Sequence, residues 1–232
     1  MKIWAKVYSV AFLLFAFSGL KAQTRYQQLT LGGGAGAAMA YAGAALSQTN
    51  IAFYASASYY PVPVFNIDLE AQAGTLSGAP SNKSKSKKKF TDSYNAVILD
   101  ANLYLGAFFD PQTSGFLNVI RNFYGGVGYS VMANSVNNVD LADIKTTNHI
   151  DNTINVVPFR TGYECSILKN RYNEPVLKAD FSFTFNYTIG KGLDGYYDSY
   201  SKSFNFYNFY AVGLKYTIIV KAAYGKGYNK YD

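Results

Sequence analysis

From Leu177 to Ile189 every second residue is apolar: Leu177, Ala179, Phe181, Phe183, Phe185, Tyr187 and Ile189. Between them stand Lys178, Asp180, Ser182, Thr184, Asn186 and Thr188. Successive side chains of a strand leave opposite faces, so this period of two predicts a strand with one apolar and one polar face. The pattern recurs along the chain and predicts eight strands, over 27–43, 51–60, 64–76, 94–109, 122–133, 154–168, 176–189 and 204–220. In the third, Phe65, Ile67, Leu69, Ala71 and Ala73 oppose Asn66, Asp68, Glu70 and Gln72. In the fourth, Val97, Leu99, Ala101, Leu103 and Leu105 oppose Asp100, Asn102 and Tyr104. The fifth puts Tyr124, Gly126, Gly128 and Ser130 on its more polar side. Val157, Phe159, Thr161, Tyr163 and Cys165 oppose Arg160, Gly162 and Glu164 in the sixth; Tyr210, Val212, Leu214, Tyr216 and Ile218 oppose Ala211, Gly213, Lys215 and Thr217 in the eighth. No helical period follows residue 22.

Which face is inside is the question. The polar faces carry Asp68, Glu70, Asp100, Glu164 and Asp180 with Arg160, Lys178 and Lys215. A sandwich would bury the Phe face and leave these charges in solvent. A closed barrel in a membrane reverses the order: the charges pair across the lumen and Phe181, Phe183 and Phe185 face lipid. The strand lengths favour the barrel. Trimmed to the membrane they need about 9 to 11 residues, whereas strands of soluble sheets usually run about 5 or 6. Eight strands make a tube that side chains about fill, so a network of charges is expected in the lumen and an open transport pore is not. Aromatic residues near strand ends (Tyr54, Tyr59, Tyr60, Phe108, Phe109, Phe123, Tyr187, Tyr207 and Phe209) are expected in the two interfacial girdles.

Composition agrees. Charged residues are only 15% of the 232, against roughly 25% in ordinary soluble chains. Aromatics reach 17%, yet mean hydropathy is close to zero, which suits alternation and not membrane-spanning helices. At the N-terminus, Lys2 and Lys6 precede the apolar run 7–20, and Lys21-Ala22-Gln23 follows. That is the layout of a signal peptide, residues 1–22, cleaved after Ala22. The single cysteine, Cys165, leaves no lipobox thiol and no internal disulfide. Cleavage removes Lys2, Lys6 and Lys21 and no acid, so a net charge of +7 becomes +4. That is too mild to argue for a nucleic-acid partner.

The connections assign the sides. With the mature N-terminus in the periplasm, odd connections lie outside and even ones inside, and barrels of this kind have short periplasmic turns and longer outer loops. The even connections 61–63 and 169–175 are short, and the odd ones 77–93, 134–153 and 190–203 are long and polar. The fourth, 110–121, is longer than a periplasmic turn should be. The barrel is expected over 23–220 and a short periplasmic tail over 221–232. The chain therefore resembles the small bacterial outer-membrane β-barrels, porin-like proteins of the size class of the OmpA transmembrane domain and OmpX. The stretches that carry the resemblance are "LKAQ", "LGGGAGAAMAYAG", "NFYGGVGYSV", "FSFTFNYTIG" and "FYAVGLKYTI". It implies fold and outer-membrane location more than function. The tail "KAAYGKGYNKYD" departs from barrels that end on a terminal aromatic.

Candidate chemistry is sparse. Gly32 to Ala37 fits G-x-G-x-x-A but lacks the helix and the acid that a dinucleotide site needs; small residues on a crowded barrel strand explain it. The basic run Lys83, Lys85, Lys87, Lys88 and Lys89 reads as a solvated loop that, facing outward, would meet lipopolysaccharide phosphates. His149, the only histidine, has Asp143, Asp151 and Ser135 near it; catalysis would need a nucleophile within hydrogen-bond reach. One His and one Cys exclude a His/Cys metal cluster, and the loop acids Asp140, Asp143, Asp194 and Asp198 lack calcium-loop spacing. The expectation is a non-enzymatic barrel with a structural or interaction role and no cofactor. Its partners are expected to be outer-membrane lipid and lipopolysaccharide, with protein partners of a membrane complex possible. Two alternatives stand beside it: a subunit of an outer-membrane secretion machine, bound through 110–121 and the tail, or a rim hydrolase acting on lipid or peptide.

Overall fold

The computed structural model describes residues 27–42, 46–79, 88–108, 119–140, 147–171, 175–189, 193 and 205–221. Eight strands follow one another: β1 Gln27–Tyr41, β2 Leu46–Val62, β3 Phe65–Ala79, β4 Lys88–Tyr104, β5 Phe123–Asp140, β6 Thr147–Lys169, β7 Pro175–Ile189 and β8 Phe206–Lys221. Each pairs antiparallel with its sequence neighbours, and β1 pairs with β8 from Gln27↔Lys221 to Tyr41↔Phe206, so the sheet closes on itself. Closure leaves no edge strand with unpaired backbone. The expected up-and-down barrel is present, with the expected number and order of strands. Residues 1–22, expected as a signal peptide, residues 222–232 of the expected tail, and Lys83, Lys85 and Lys87 lie outside the described residues.

Six of the eight strands are longer than the alternation predicted, reaching 18 residues in β5 and 23 in β6, while β1 and β8 are slightly shorter. Residues 88–93, 134–140 and 147–153, expected as loop, are paired strand. The reason is visible on β4. Near its start the inward residues are Phe90, Tyr94 and Ala96, with one acid, Asp92, among them, all buried, and the outward ones are Thr91, Ser93 and Asn95, all exposed. Nearer its end the order reverses: Asp100 and Asn102 are buried inside, while Val97, Leu99 and Leu103 are 42–57% exposed outside. Inward Met132 and Val136 with outward Ser135 and Asn137 on β5, and inward Ile154 with outward Asp151 and Thr153 on β6, repeat the upper pattern. The register does not slip at the change: β4 and β5 pair without a break from Lys88↔Asp140 to Tyr104↔Tyr124. The polarity of the wall inverts while its geometry stays constant.

The bore is filled in two tiers, which corrects the expectation of a lumen of charged and polar groups throughout. Toward the odd connections (the loop end) it is apolar, packed by Phe90, Tyr94, Ile98, Met132, Val156 and Phe209. The charges occupy the half toward the even connections (the turn end). Four aromatics expected in the girdles point inward instead: Tyr54, Tyr60, Tyr207 and Phe209 are at most 6% exposed. They sit in phase with the polar residues of their strands, where a large apolar ring, with a hydroxyl on the three tyrosines, fills the bore as well as it would a girdle. Tyr59, Phe108 and Phe123 are exposed as expected; Phe109 lies outside the described residues.

Candidate functional site

The structure brings all eight predicted charges into the turn-end tier. Arg160 of β6 reaches across the bore to β3 and β4: Nη1 is 3.0 Å from Asp68 Oδ2 and 3.3 Å from Asp100 Oδ2, and Nη2 is 2.7 Å from Glu70 Oε2. One guanidinium thus meets three carboxylates, because its planar fork offers donors in fixed directions. Asp68 and Asp100 face each other across the β3–β4 ladder, and Ser58 Oγ and Asn102 Nδ2 donate to their second oxygens at 2.6 Å each. Arg160 Nε also donates to Thr184 Oγ1 at 3.4 Å.

A second cluster lies closer to the turn end. Glu164 accepts from Lys178 Nζ on Oε2 and from Lys215 Nζ on Oε1, both at 2.9 Å. The hydroxyls of Tyr60 and Tyr104 donate to the same Oε1 at 2.8 Å each. Lys215 stands 3.6 Å from Asp180 Oδ2, whose Oδ1 accepts from Tyr124 at 2.9 Å. The Lys178 ammonium also lies 4.4 Å from the centre of the Tyr60 ring. Buried charges persist only when paired and hydrogen-bonded, and here every carboxylate has a cation within 3.6 Å. The sequence placed Tyr104 and Tyr124 inward but did not show that hydroxyls from three strands converge on these acids. Above both clusters, Tyr94 and Tyr207 donate to Gln72 Oε1 at 2.9 and 3.4 Å.

At the turn end the described ends of the connections bond to one another and to the strands. Tyr104 donates its N–H to Val64 O, Gly106 to Arg121 O and Glu164 to Asn122 O, at 2.8, 3.0 and 3.2 Å. These bonds join the two described ends of the β4–β5 connection to each other and to β6, and a 3₁₀ turn spans Leu105–Ala107. A cavity of about 330 Å³ remains there, lined among others by Tyr60, Val64, Arg121, Glu164, Ser166 and Lys178.

At the loop end two expectations can be placed. His149 and Ser135 lie on the outward face of β5 and β6: Ser135 Oγ is 3.5 Å from His149 Nε2, and Nδ1 is 2.9 Å from Asn137 Oδ1. Asp151 Oδ1 competes for Nε2 at 3.3 Å, and the imidazole is 57% exposed. The residues follow the order of nucleophile, base and orienting group, but on an open strand face; Asp143 is outside the described residues. Of the basic run, Lys89 is exposed at the start of β4, and Lys88 contributes backbone to the same strand. One buried acid escaped notice in the sequence. Asp92, expected in a loop, points into the apolar tier and accepts from Asn134 Nδ2 at 3.3 Å. Among the described residues no three His, Cys, Asp or Glu side chains gather as a metal site.

No protein-family model matches the chain, and no curated protein matches it. Solved structures do. Neisserial surface protein A is 14% identical with a TM-score of 0.43, over 81% of this chain and 96% of its own. Ail, the attachment invasion locus protein of Yersinia pestis, solved with the heparin analogue sucrose octasulfate, is 9% identical with a TM-score of 0.47, over 83% and 99%. CarO of Acinetobacter baumannii is 12% identical with a TM-score of 0.37, over 79% and 96%. The resemblance to small outer-membrane β-barrels expected from the sequence is present among these structures, and the ring of eight strands rests on this chain's own pairings.

Proposed function

We infer that the chain is a non-enzymatic integral protein of the outer membrane, exported by a signal peptide cleaved after Ala22, with a structural or interaction role. The inversion of polarity along β4, β5 and β6 carries this reading. Toward the loop end the wall buries apolar residues inside and shows polar ones outside, as a sheet in water does. Toward the turn end it shows Val97, Leu99, Val127 and Phe159 outside and keeps Asp100 and Arg160 inside, as a wall in lipid must. A single closed sheet that changes order midway matches a barrel whose lower part sits in a bilayer and whose upper part stands in water. The loop end is then extracellular and the turn end periplasmic. The filled bore supports a plug-like body over a transport pore, and the exposed Lys89 with the run before it fits the phosphates of surface lipopolysaccharide.

Fractionation tests the location: the mature protein should sediment with outer membrane, begin at Gln23 and shift in electrophoretic mobility on heating. Recovery in the soluble periplasmic fraction would sink the reading. The rim-hydrolase alternative has the Ser135–His149–Asn137 contacts in its favour. A catalytic base, however, must be poised on its nucleophile, and here the Asp151 carboxylate shares the same nitrogen. His149→Ala should therefore leave the acyl-chain composition of outer-membrane lipids unchanged by mass spectrometry. A lipid that gains or loses a chain in the variant would restore the hydrolase.

A further inference from the structure

We propose that the cavity at the turn end is a binding site for a small amphipathic carboxylate. The proposal rests on the reading above only for the side of the membrane that the site faces. Its walls come from β1, the β2–β3 turn, both ends of the β4–β5 connection, β6 and β7, with Tyr60, Val64, Arg121, Glu164, Ser166 and Lys178 among them. Gly106, Arg121 and Asn122, at the described ends of the β4–β5 connection, supply one of these walls. Gly106 donates its N–H to Arg121 O and Glu164 donates its N–H to Asn122 O, which holds that wall in place.

The charge of the lining selects the ligand. Arg121 and Lys178 face one carboxylate, Glu164, and that carboxylate is already engaged by Lys178, Lys215, Tyr60 and Tyr104. An entering anion meets no unmatched negative charge. Lys178 is buried, and its ammonium spends one of its three hydrogens on Glu164 at 2.9 Å, so donors remain for a ligand. The Arg121 side chain is at the exposed rim, and a guanidinium fork matches a carboxylate with two parallel hydrogen bonds. Between these cations the walls are apolar: Pro63, Val64, Pro175 and the body of Tyr60. A volume of about 330 Å³ is at the small end of ligand pockets. It takes a molecule with one carboxylate and a short hydrocarbon or aromatic stem, whether free or as the last residue of a peptide. Two cations against the Glu164 carboxylate leave the lining at +1, which a monoanion matches better than a phosphate dianion.

The test is calorimetric titration of the full protein, purified in detergent, with 3-phenylpropionate, with its neutral amide, and with a decapeptide ending in phenylalanine with a free carboxylate. The acid should bind with a dissociation constant of about 1 mM or tighter, and the amide at least about tenfold more weakly. Arg121→Gln should weaken the acid about tenfold. This variant leaves the Glu164 network intact, so loss of fold does not confound it. Ser166→Trp should block the cavity. Decapeptide binding as tight as that of the free acid assigns the site to chain ends of partner proteins; binding of the free acid alone assigns it to small metabolites. Equal affinity for acid and amide, or indifference to Arg121→Gln, overturns the proposal. Neither result depends on where the protein fractionates, so failure of the site and failure of the membrane reading are distinguishable.

Discussion

Arg160 is the residue on which the lower bore turns. It is buried, and Asp68, Glu70 and Asp100 all approach it within 3.3 Å. Losing one partner of a buried pair costs about 3–5 kcal/mol, because the other charge is left without compensation. Arg160→Met should therefore lower the barrel's stability by about that much, read from the urea midpoint of circular dichroism in detergent. Asp100→Asn added to it should recover part of the loss, since one of the three stranded acids is then neutral. An unchanged midpoint would mean that water enters the bore and solvates these acids. The same residues show what a sequence conveys at this scale. All eight charges were legible, each standing inside an apolar alternation that fixed its direction. Their pairing was not, because contacts across a bore depend on shear and tilt. Tyr60 and Tyr207 misled for a different reason: an amphipathic ring suits an interface and a lumen equally.

At the level of the element, β4 is the most informative strand. Its outward face changes from Thr91, Ser93 and Asn95 to Val97, Leu99 and Leu103 without a bulge. Alternation detects a strand by contrast between faces, and above Asn95 the contrast has the opposite sign to that below. A search for apolar-out positions therefore ended the strand too early, and Asp92 was lost to an expected loop with it. The reversal gives a test within a single face. Val97 and Ser93 lie four residues apart and both point outward. Val97→Arg should cost about 2–4 kcal/mol on folding into phospholipid vesicles, the range for arginine at a bilayer midplane. Ser93→Arg should cost under about 1 kcal/mol, as near an interface. Equal losses from reversible unfolding in vesicles would place both residues in the same medium and remove the boundary.

For the whole molecule, the level of the reversal sets a height. Outward apolar residues run from Tyr210 to at least Ile218 on β8 and from Leu177 to Ile189 on β7, which at about 3.3 Å per residue and a tilt near 40° spans about 20 to 30 Å along the barrel axis. The upper wall carries Ser93, Ser135 and Asp151 just beyond this band, so it cannot sink further without dragging polar side chains into hydrocarbon. The barrel is thus matched to a bilayer of about that thickness, and a thicker one must deform around it at a cost that grows with each ångström of mismatch. Refolding yield should be higher in dioleoyl than in the thicker dierucoyl phosphatidylcholine vesicles, followed by the heat-dependent gel shift; equal yields would mean that the band is taller than the side chains suggest. The wall that chooses between water and lipid by its residues also gauges membrane thickness, and thickness alone would steer this protein toward one membrane of the cell over another.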